Sequence, residues 1–407
     1  MKMSEQRLIQ LEFYCLCLLA FSLPILETLK HLFSLAYLIV FCTRYCCYRD
    51  TFQHSPVGKY IIIFVLLSII AAIGSTLNGF SNDKLHDIIR YSLIGWMALH
   101  TPLSRRQLSI IITILIISTL LGAAEAYWLM DSGTKIRFEL RSVGHVNHSS
   151  IYILLILGAA LPLTLAYSNK KVLLAIIILV TFTLLYVLLE TNSRATAIGI
   201  ITLAIPFLLV VFIHCQKIGY VFLVVIALTT LYCIFSPPNV IKKFIGQNNY
   251  YTNKLTPREK VWHTAYYVWK AQPTFGVGYG NYKVVTLEKM KEWHPNSTRD
   301  FSNIKQFLFL THTHNRYINT LAEGGLTGLL GLIALLFGYA KCFISTFKHS
   351  IQDKRNIAVW LIGTNALVST IVVGLFNTSL HHEHGILTML LLGLSVQLLQ
   401  KNTSNST

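Results

Sequence analysis

Apolar residues run along this chain in blocks of about twenty, separated by short polar joints, which is the length an α-helix needs to cross a hydrocarbon layer. Such blocks lie near 8–25, 30–47, 59–78, 85–101, 107–128, 149–167, 171–189, 195–213, 217–235, 314–340, 357–376 and 382–400. They predict an all-α integral membrane protein of about twelve spans. The fourth block is the weakest, because Asp87 and Arg90 sit inside it. Those two can pair at i, i+3 on one helix face or look into a polar cavity.

The joints alternate in charge. Arg44, Arg49 and Lys59, then Arg105 and Arg106, then Lys170 and Lys171, then Lys217, then Lys341, Lys348, Lys354 and Arg355 fall on one side. The opposite joints at 26–29 and 376–381 hold no Lys or Arg, and that at 79–84 holds only Lys84. Basic residues stay on the cytoplasmic side, so both termini are expected there. The basic N-terminal stretch runs directly into the first apolar block with no small-residue cleavage site, which reads as a signal anchor or simply a first span. The expected organisation is helices 1–9 over 1–235, one large periplasmic loop over 236–313, helices 10–12 over 314–400, and a short cytoplasmic tail over 401–407.

Composition sharpens this. Of the 407 residues, 54% are hydrophobic and 13% charged, against roughly 25% charged in ordinary globular domains. A soluble two-domain protein and a disordered chain are both excluded. The formal charge of +17 is explained by cytoplasmic loops lying against anionic membrane lipids, and no basic patch interleaved with stacking aromatics points to nucleic acid. The eight cysteines form no matched Cys-x-x-Cys pairs, so neither a zinc site nor a disulfide framework is expected.

Three outward segments break the low-charge rule. One is 129–148, with Lys135, Arg137, Arg141, His145 and His148; the second is the joint 190–195, with Arg194. The third is 236–313, where eleven Lys or Arg stand against four Asp or Glu. Cations held on the outward face call for an anion, and a phosphorylated lipid or glycolipid head group satisfies them. Within the long segment, 257–271 reads as a helix with Pro257 in its first turn and Trp262, Ala265, Tyr266 and Trp269 along one stripe. Gly276, Gly278 and Gly280 then alternate in a tight turn. It either brings backbone close to a head group or a helix end, or is purely structural; it is no dinucleotide fingerprint.

The strongest local signal is Thr311-His312-Thr313-His314-Asn315, followed deeper in the same block by Gly325 and Gly328, whose missing side chains let another helix approach. Arg141, Arg194 and Arg258 share the outward side with His314. Guanidinium groups grip phosphate bidentately, and their charge keeps a nearby imidazole neutral and able to act as a base. Each residue also has a plainer reading. His314 can cap a helix, Arg194 can pair with Glu190 at i, i+4, and Arg258 can belong to a solvated basic face.

His314-Asn315, nine residues, Gly325, two residues and Gly328 resemble the His-Asn-glycine signature of the bacterial O-antigen ligases, a family whose superfamily also holds the O-antigen polymerases. Gly144–Ser149, Thr191–Arg194, and the block running from Arg258 through Trp262, Pro273, Gly276 and Gly278 to Asn281 resemble that pattern in the same order. The resemblance covers about 140–330. It implies a GT-C-like, inverting glycosyltransferase of the bacterial inner membrane, acting on its periplasmic face without a cofactor or a metal. The donor would be an O-antigen polysaccharide on undecaprenyl diphosphate, and the acceptor a sugar hydroxyl of lipid A–core. His314 would activate that hydroxyl. Arg194 and Arg258, with Arg141 and less directly Arg137, would hold the leaving diphosphate; His145, Asn315, Gly276, Gly278, Gly325, Gly328 and His382 would support the site. His381-His382-Glu383-His384 could in principle hold zinc, but adjacent histidines at a helix start more often hydrogen-bond or line a pocket. An O-antigen polymerase, with a second lipid-linked glycan as acceptor, is the nearest alternative. A glycolipid transporter or flippase is the alternative of another class; no internal repeat supports it, and the charge lies outside the spans.

Overall fold

A computed structural model describes residues 3–49, 52, 55–235, 256–295, 301 and 303–404. Lys242, Lys243, Lys254 and Arg299 of the basic long segment lie outside the described residues. Among those described, the chain is built from helices: α1 (Glu5–Ser22), α2 (Glu27–Cys47), α3 (Gly58–Leu77), α4 (Leu85–His100), α5 (Arg105–Asp131), α6 (Val146–Ala160), α7 (Leu163–Ala166), α8 (Lys171–Glu190), α9 (Arg194–His214), α10 (Gln216–Phe235), α11 (Pro257–Ala271), α12 (Leu287–Trp293), α13 (Arg316–Ser350), α14 (Lys354–Gly374) and α15 (His382–Ser404). Every apolar block of the sequence is occupied by helix. Seven spans, namely α3, α5, α6 continued through α7, α8, α9, α13 and α14, are long and apolar enough to cross a membrane. The protein is an all-α membrane protein.

Burial sorts the helices into a centre and a rim. α6 and most of α15 are buried on all sides, with Ile151–Leu157 and Ile386–Leu392 enclosed by neighbours. α15 packs on α4 and α14, and α14 packs on α6, α9 and α13. The rim helices α3, α8 and α9 leave Ile73, Leu179 and Leu209 more than half exposed. An apolar outer face of that kind is what lipid tails solvate.

Charge inside the helical bundle is where the structure departs from the sequence reading. Glu12 of α1 and Arg44 of α2 are both buried and paired at 2.6 Å, and Arg44 also donates to the His100 carbonyl at 2.8 Å. Lys30 of α2 is buried against Glu383 of α15 and donates to Ser142 Oγ at 3.0 Å. The charge is therefore not confined to the outside. Each of these buried ions has an opposite partner, the condition for keeping charge in a low-dielectric interior. Asp87 and Arg90 satisfy both sequence alternatives, pairing at 2.9 Å while Asp87 lines a polar cavity.

The segment before α13 folds on its own small core of Val261, Val268, Val277, Tyr282, Met290 and Phe307. α11 starts where the sequence placed it, because Thr256 and Glu259 form a reciprocal capping box around Pro257. Its buried face differs from the expected stripe. Val261, Thr264, Ala265 and Val268 are buried, Tyr266 is 50% exposed, and Trp262 uses its indole N–H to donate to the Thr313 carbonyl at 3.1 Å.

The glycine turn docks against a break in α13. At Gly325 the helix leaves helical geometry with φ 61° and ψ −163°, a region open essentially to glycine alone. The freed backbone groups are taken up by the turn: Val277 and Gly278 N–H donate to the Ala322 and Glu323 carbonyls at 3.0 and 2.9 Å, and Leu326 and Thr327 N–H donate to Pro273 and Thr274 at 2.9 and 3.1 Å. A Cβ on Gly276 would lie 2.4 Å from the Glu323 carbonyl, and one on Gly325 as close to that of Thr274. What approaches Gly325 and Gly328 is thus this turn and Tyr279, rather than a second helix; the close helix approach to α13 is made by α3 at Gly331 and Gly338.

Candidate active site

A cavity of about 560 Å³ opens between the N-terminal ends of α6 and α9, the start of α11, the turn before α13 and the turn after α14. His314, Arg194 and Arg258 all line it, together with Asn147, Ser193 and Asn377. Five segments far apart in sequence meet here: the glycine turn anchors the end of α11 on α13, and α11 holds the 307–315 strap through Trp262 and Thr264.

His314 is held by its neighbours. It has φ 52°, an uncommon left-handed conformation for a residue with a side chain. Asn315 accounts for it: its carboxamide oxygen accepts from Tyr317 and Ile318 N–H at 2.9 and 3.0 Å, and its amide donates to the Leu375 carbonyl at 3.0 Å. Asn315 is therefore the N-cap of α13 and ties that helix to the end of α14. Thr313 completes the clamp, its N–H donating to Asn319 and its carbonyl accepting from Trp262. The capping role offered for His314 thus falls to Asn315, leaving the imidazole to face the cavity. Burial first, and then the Arg258 guanidinium, push the His314 imidazole below its ordinary range, with the contact to Asn377 opposing them. A neutral imidazole results, the form that accepts a proton.

Arg194 opens α9, whose N-cap Ser193 makes no side-chain cap hydrogen bond. The first-turn N–H groups and the positive end of the helix dipole add to the guanidinium charge. Arg258 lies in the first turn of α11, and both burial and the nearby Arg194 lower its affinity for its proton. A guanidinium stays charged regardless, so two like charges are crowded at one wall of a cavity. No carboxylate pairs with Arg258 among the described residues. An anion of two or more charges would relieve that repulsion, and paired guanidiniums suit a diphosphate.

Arg141 does not join this wall. Its guanidinium is 67% exposed and pairs with Glu125 at 3.2 Å. The carboxylate at the end of α5 offers a partner that the spacing of arginines did not reveal. Arg137 is exposed and also absent from the cavity. His145 caps α6, its Nδ1 accepting from Asn147 N–H at 3.2 Å. Gly276, Gly278, Gly325 and Gly328 act one step away, where the glycine turn docks on the break in α13.

A second cavity of about 300 Å³ lies on the other side of the 311–314 strap and is lined by Lys84, Asp87, His312, Arg316, Glu323 and His382, among others. His312 faces this cavity and His314 the first. Burial first, and then the neighbouring His314, press the His312 imidazole down to about 4. His148 stacks on both His381 and His384, with ring centroids 5.1 and 5.2 Å apart. His382 goes to Asp87 at 3.4 Å, Glu383 to Lys30, and His384 Nε2 to the 378–381 turn. The residues weighed as a zinc site thus point to separate partners, and no metal-holding group of three occurs among the described residues.

Asn147 and Asn377, which also line the first cavity, were not singled out from the sequence. Asn147 lies in the first turn of α6 and Asn377 in the bend after α14, with no periodicity or charge to mark either.

Residues 179–333 match the O-Antigen ligase family model. The match takes in Arg194, Arg258, His314 and the glycines Gly276, Gly278, Gly325 and Gly328, and leaves out Arg137, Arg141, His145 and His382. It supports the O-antigen ligase and polymerase superfamily and suggests a role in O-antigen ligation or polymerisation, without separating the two. Comparison with curated proteins gives no match.

Proposed function

We propose that this protein transfers O-antigen polysaccharide from undecaprenyl diphosphate to a sugar hydroxyl of lipid A–core. The observation that carries the reading is the meeting of a neutral His314 with Arg194 and Arg258 in one cavity. His314 takes the proton of the acceptor hydroxyl as its oxygen attacks the anomeric carbon. The bond from that carbon to the diphosphate oxygen breaks with its electron pair, the configuration inverts, and undecaprenyl diphosphate leaves. Charge grows on the departing oxygen, where two guanidiniums and the α9 N-terminus stabilise it more than in the ground state. They supply the charge that a divalent ion supplies in other transferases, so the step is read as metal-independent. The arrangement suits a GT-C-like enzyme of the bacterial inner membrane, with twelve spans, both termini cytoplasmic and the cavity periplasmic; the basic joints between spans support that orientation.

The family match favours a polymerase as well, in which the same cavity would serve a lipid-linked glycan as acceptor. Deleting the gene separates the two. A ligase leaves full-length lipid-linked polymer beside unmodified lipid A–core, whereas a polymerase leaves single repeat units attached to the core. Unchanged lipopolysaccharide would sink both.

A further inference from the structure

At the far end of the bundle lies a cavity of about 680 Å³ whose wall carries Arg105, Arg106, Lys170, Lys354 and Arg355, with Asp353 as its one carboxylate. It is separated from the candidate active site by the whole length of α8, which begins at Lys171 and ends at Glu190, and by α14, which begins at Lys354 and ends at Gly374. A twenty-residue helix is roughly 30 Å long, about the thickness of a hydrocarbon core. The two cavities therefore belong to opposite membrane faces.

The charge there is unbalanced. Asp353 is used twice within the fold, capping α14 through the Asn356 N–H at 3.2 Å and pairing with Arg105 at 3.6 Å. Lys354 directs its ammonium to Cys215 Sγ at 3.1 Å. Arg106, Lys170 and Arg355 are exposed and have no carboxylate partner among the described residues. Three long helices, α5, α8 and α14, also begin here, and none has an acidic residue in its first turn. Cations at a helix N-terminus oppose the helix dipole, so the chain gathers positive charge where its own backbone disfavours it. An anion seated among them reverses the sign of that interaction.

The basin continues into a second cavity of about 410 Å³, sharing Arg106, Ser109, Leu163 and Tyr167 with it. Beyond those residues its walls are almost wholly apolar, formed by Ile117 and Leu120 of α5 and Leu173, Ile176 and Val180 of α8. Ile117 and Ile176 are about half exposed on the outer surface of the bundle. A basic polar basin opening into an apolar groove between two membrane helices matches one kind of molecule. We propose that this is a binding site for an anionic glycerophospholipid, with its phosphate among Arg106, Lys170 and Arg355 and an acyl chain along the α5–α8 groove. Basic pockets between membrane helices hold acidic head groups in this way.

The test uses the purified full chain and native mass spectrometry, titrating phosphatidylglycerol and phosphatidylcholine of matched chains. Phosphatidylglycerol should bind saturably and more tightly. Arg106→Ala, Lys170→Ala and Arg355→Ala should each weaken it roughly fivefold, and Ile176→Trp, which fills the groove at an exposed position, should weaken it without changing charge. These single surface changes leave the fold intact, which an unchanged melting temperature in phosphatidylcholine confirms. Equal binding of the two lipids, or phosphatidylglycerol binding indifferent to the alanine variants, would overturn the site. Displacement by inorganic phosphate together with an indifferent Ile176→Trp would reduce it to a free-anion basin and equally overturn the proposal.

Discussion

At the scale of single residues, His314 has to be neutral to accept a proton, and burial beside Arg258 makes it so. Replacing it by alanine should lower transfer about 10²–10⁴-fold, measured as product formed at saturating donor with protein level unchanged. Glutamine can hydrogen-bond the acceptor but cannot take its proton, so His314→Gln should fail equally; an active glutamine variant would leave His314 a positioning residue. His312→Ala should be mild, since that ring faces the other cavity. The lowered affinity of His314 for protons also fixes a sign. The base-competent form is present above its folded-state pKa, so the acid limb of the pH–rate profile should lie below about 6.5, the ordinary histidine value. Arg258→Lys keeps the charge but loses the fork, so turnover should fall, by about 10²–10³-fold if a full charge-stabilising contact is lost, while the limb stays. Arg258→Gln removes the charge and should raise the limb. A limb that moves alike in both variants would detach Arg258 from His314. Of the residues lining this cavity, His314, Arg194 and Arg258 were legible in the sequence, because a short motif and two arginines in joints expected to face outward marked them. Arg141, in the joint after α5, falls outside the cavity and pairs with Glu125, sixteen positions back within α5, where no local pattern shows it.

At the scale of elements, the helices follow from the apolar blocks, and the start of α11 could be placed because Pro257 marks its first turn. The face α11 buries could not be read, since both sides of that helix carry aromatics and the partner surface decides between them. Nor could the break in α13 be seen. Gly325 and Gly328 suggest close approach, but only the docked turn shows that the approach is backbone to backbone. This junction carries a stability prediction. Gly325→Ala forces a side chain into a glycine-only conformation, with a Cβ 2.4 Å from Thr274. It should destabilise the protein by about 1–3 kcal/mol from backbone strain alone, seen as a lower melting temperature. Because the turn anchors α11, which holds the strap before His314 through Trp262 and Thr264, transfer should fall with it. Wild-type stability in that variant would mean that the turn is not clamped as described.

At the scale of the molecule, buried helices α6 and α15 form the centre, and rim helices present apolar outer faces suited to lipid. Two opposed polar sites are carried at the ends of the bundle. The pairs Glu12–Arg44 and Lys30–Glu383 join α1, α2 and α15 across the bundle; their partners are too far apart in sequence for spacing to predict. The reaction proposed for the first cavity is the property to test. The most direct measurement is transfer by the purified full chain, given undecaprenyl-diphosphate-linked O-antigen and lipid A–core in the presence of a chelator. The predicted result is O-antigen attached to lipid A–core at an undiminished rate in chelator, with none from the His314→Gln enzyme. A lengthened lipid-linked glycan with untouched lipid A–core, or transfer that the chelator abolishes, would contradict it.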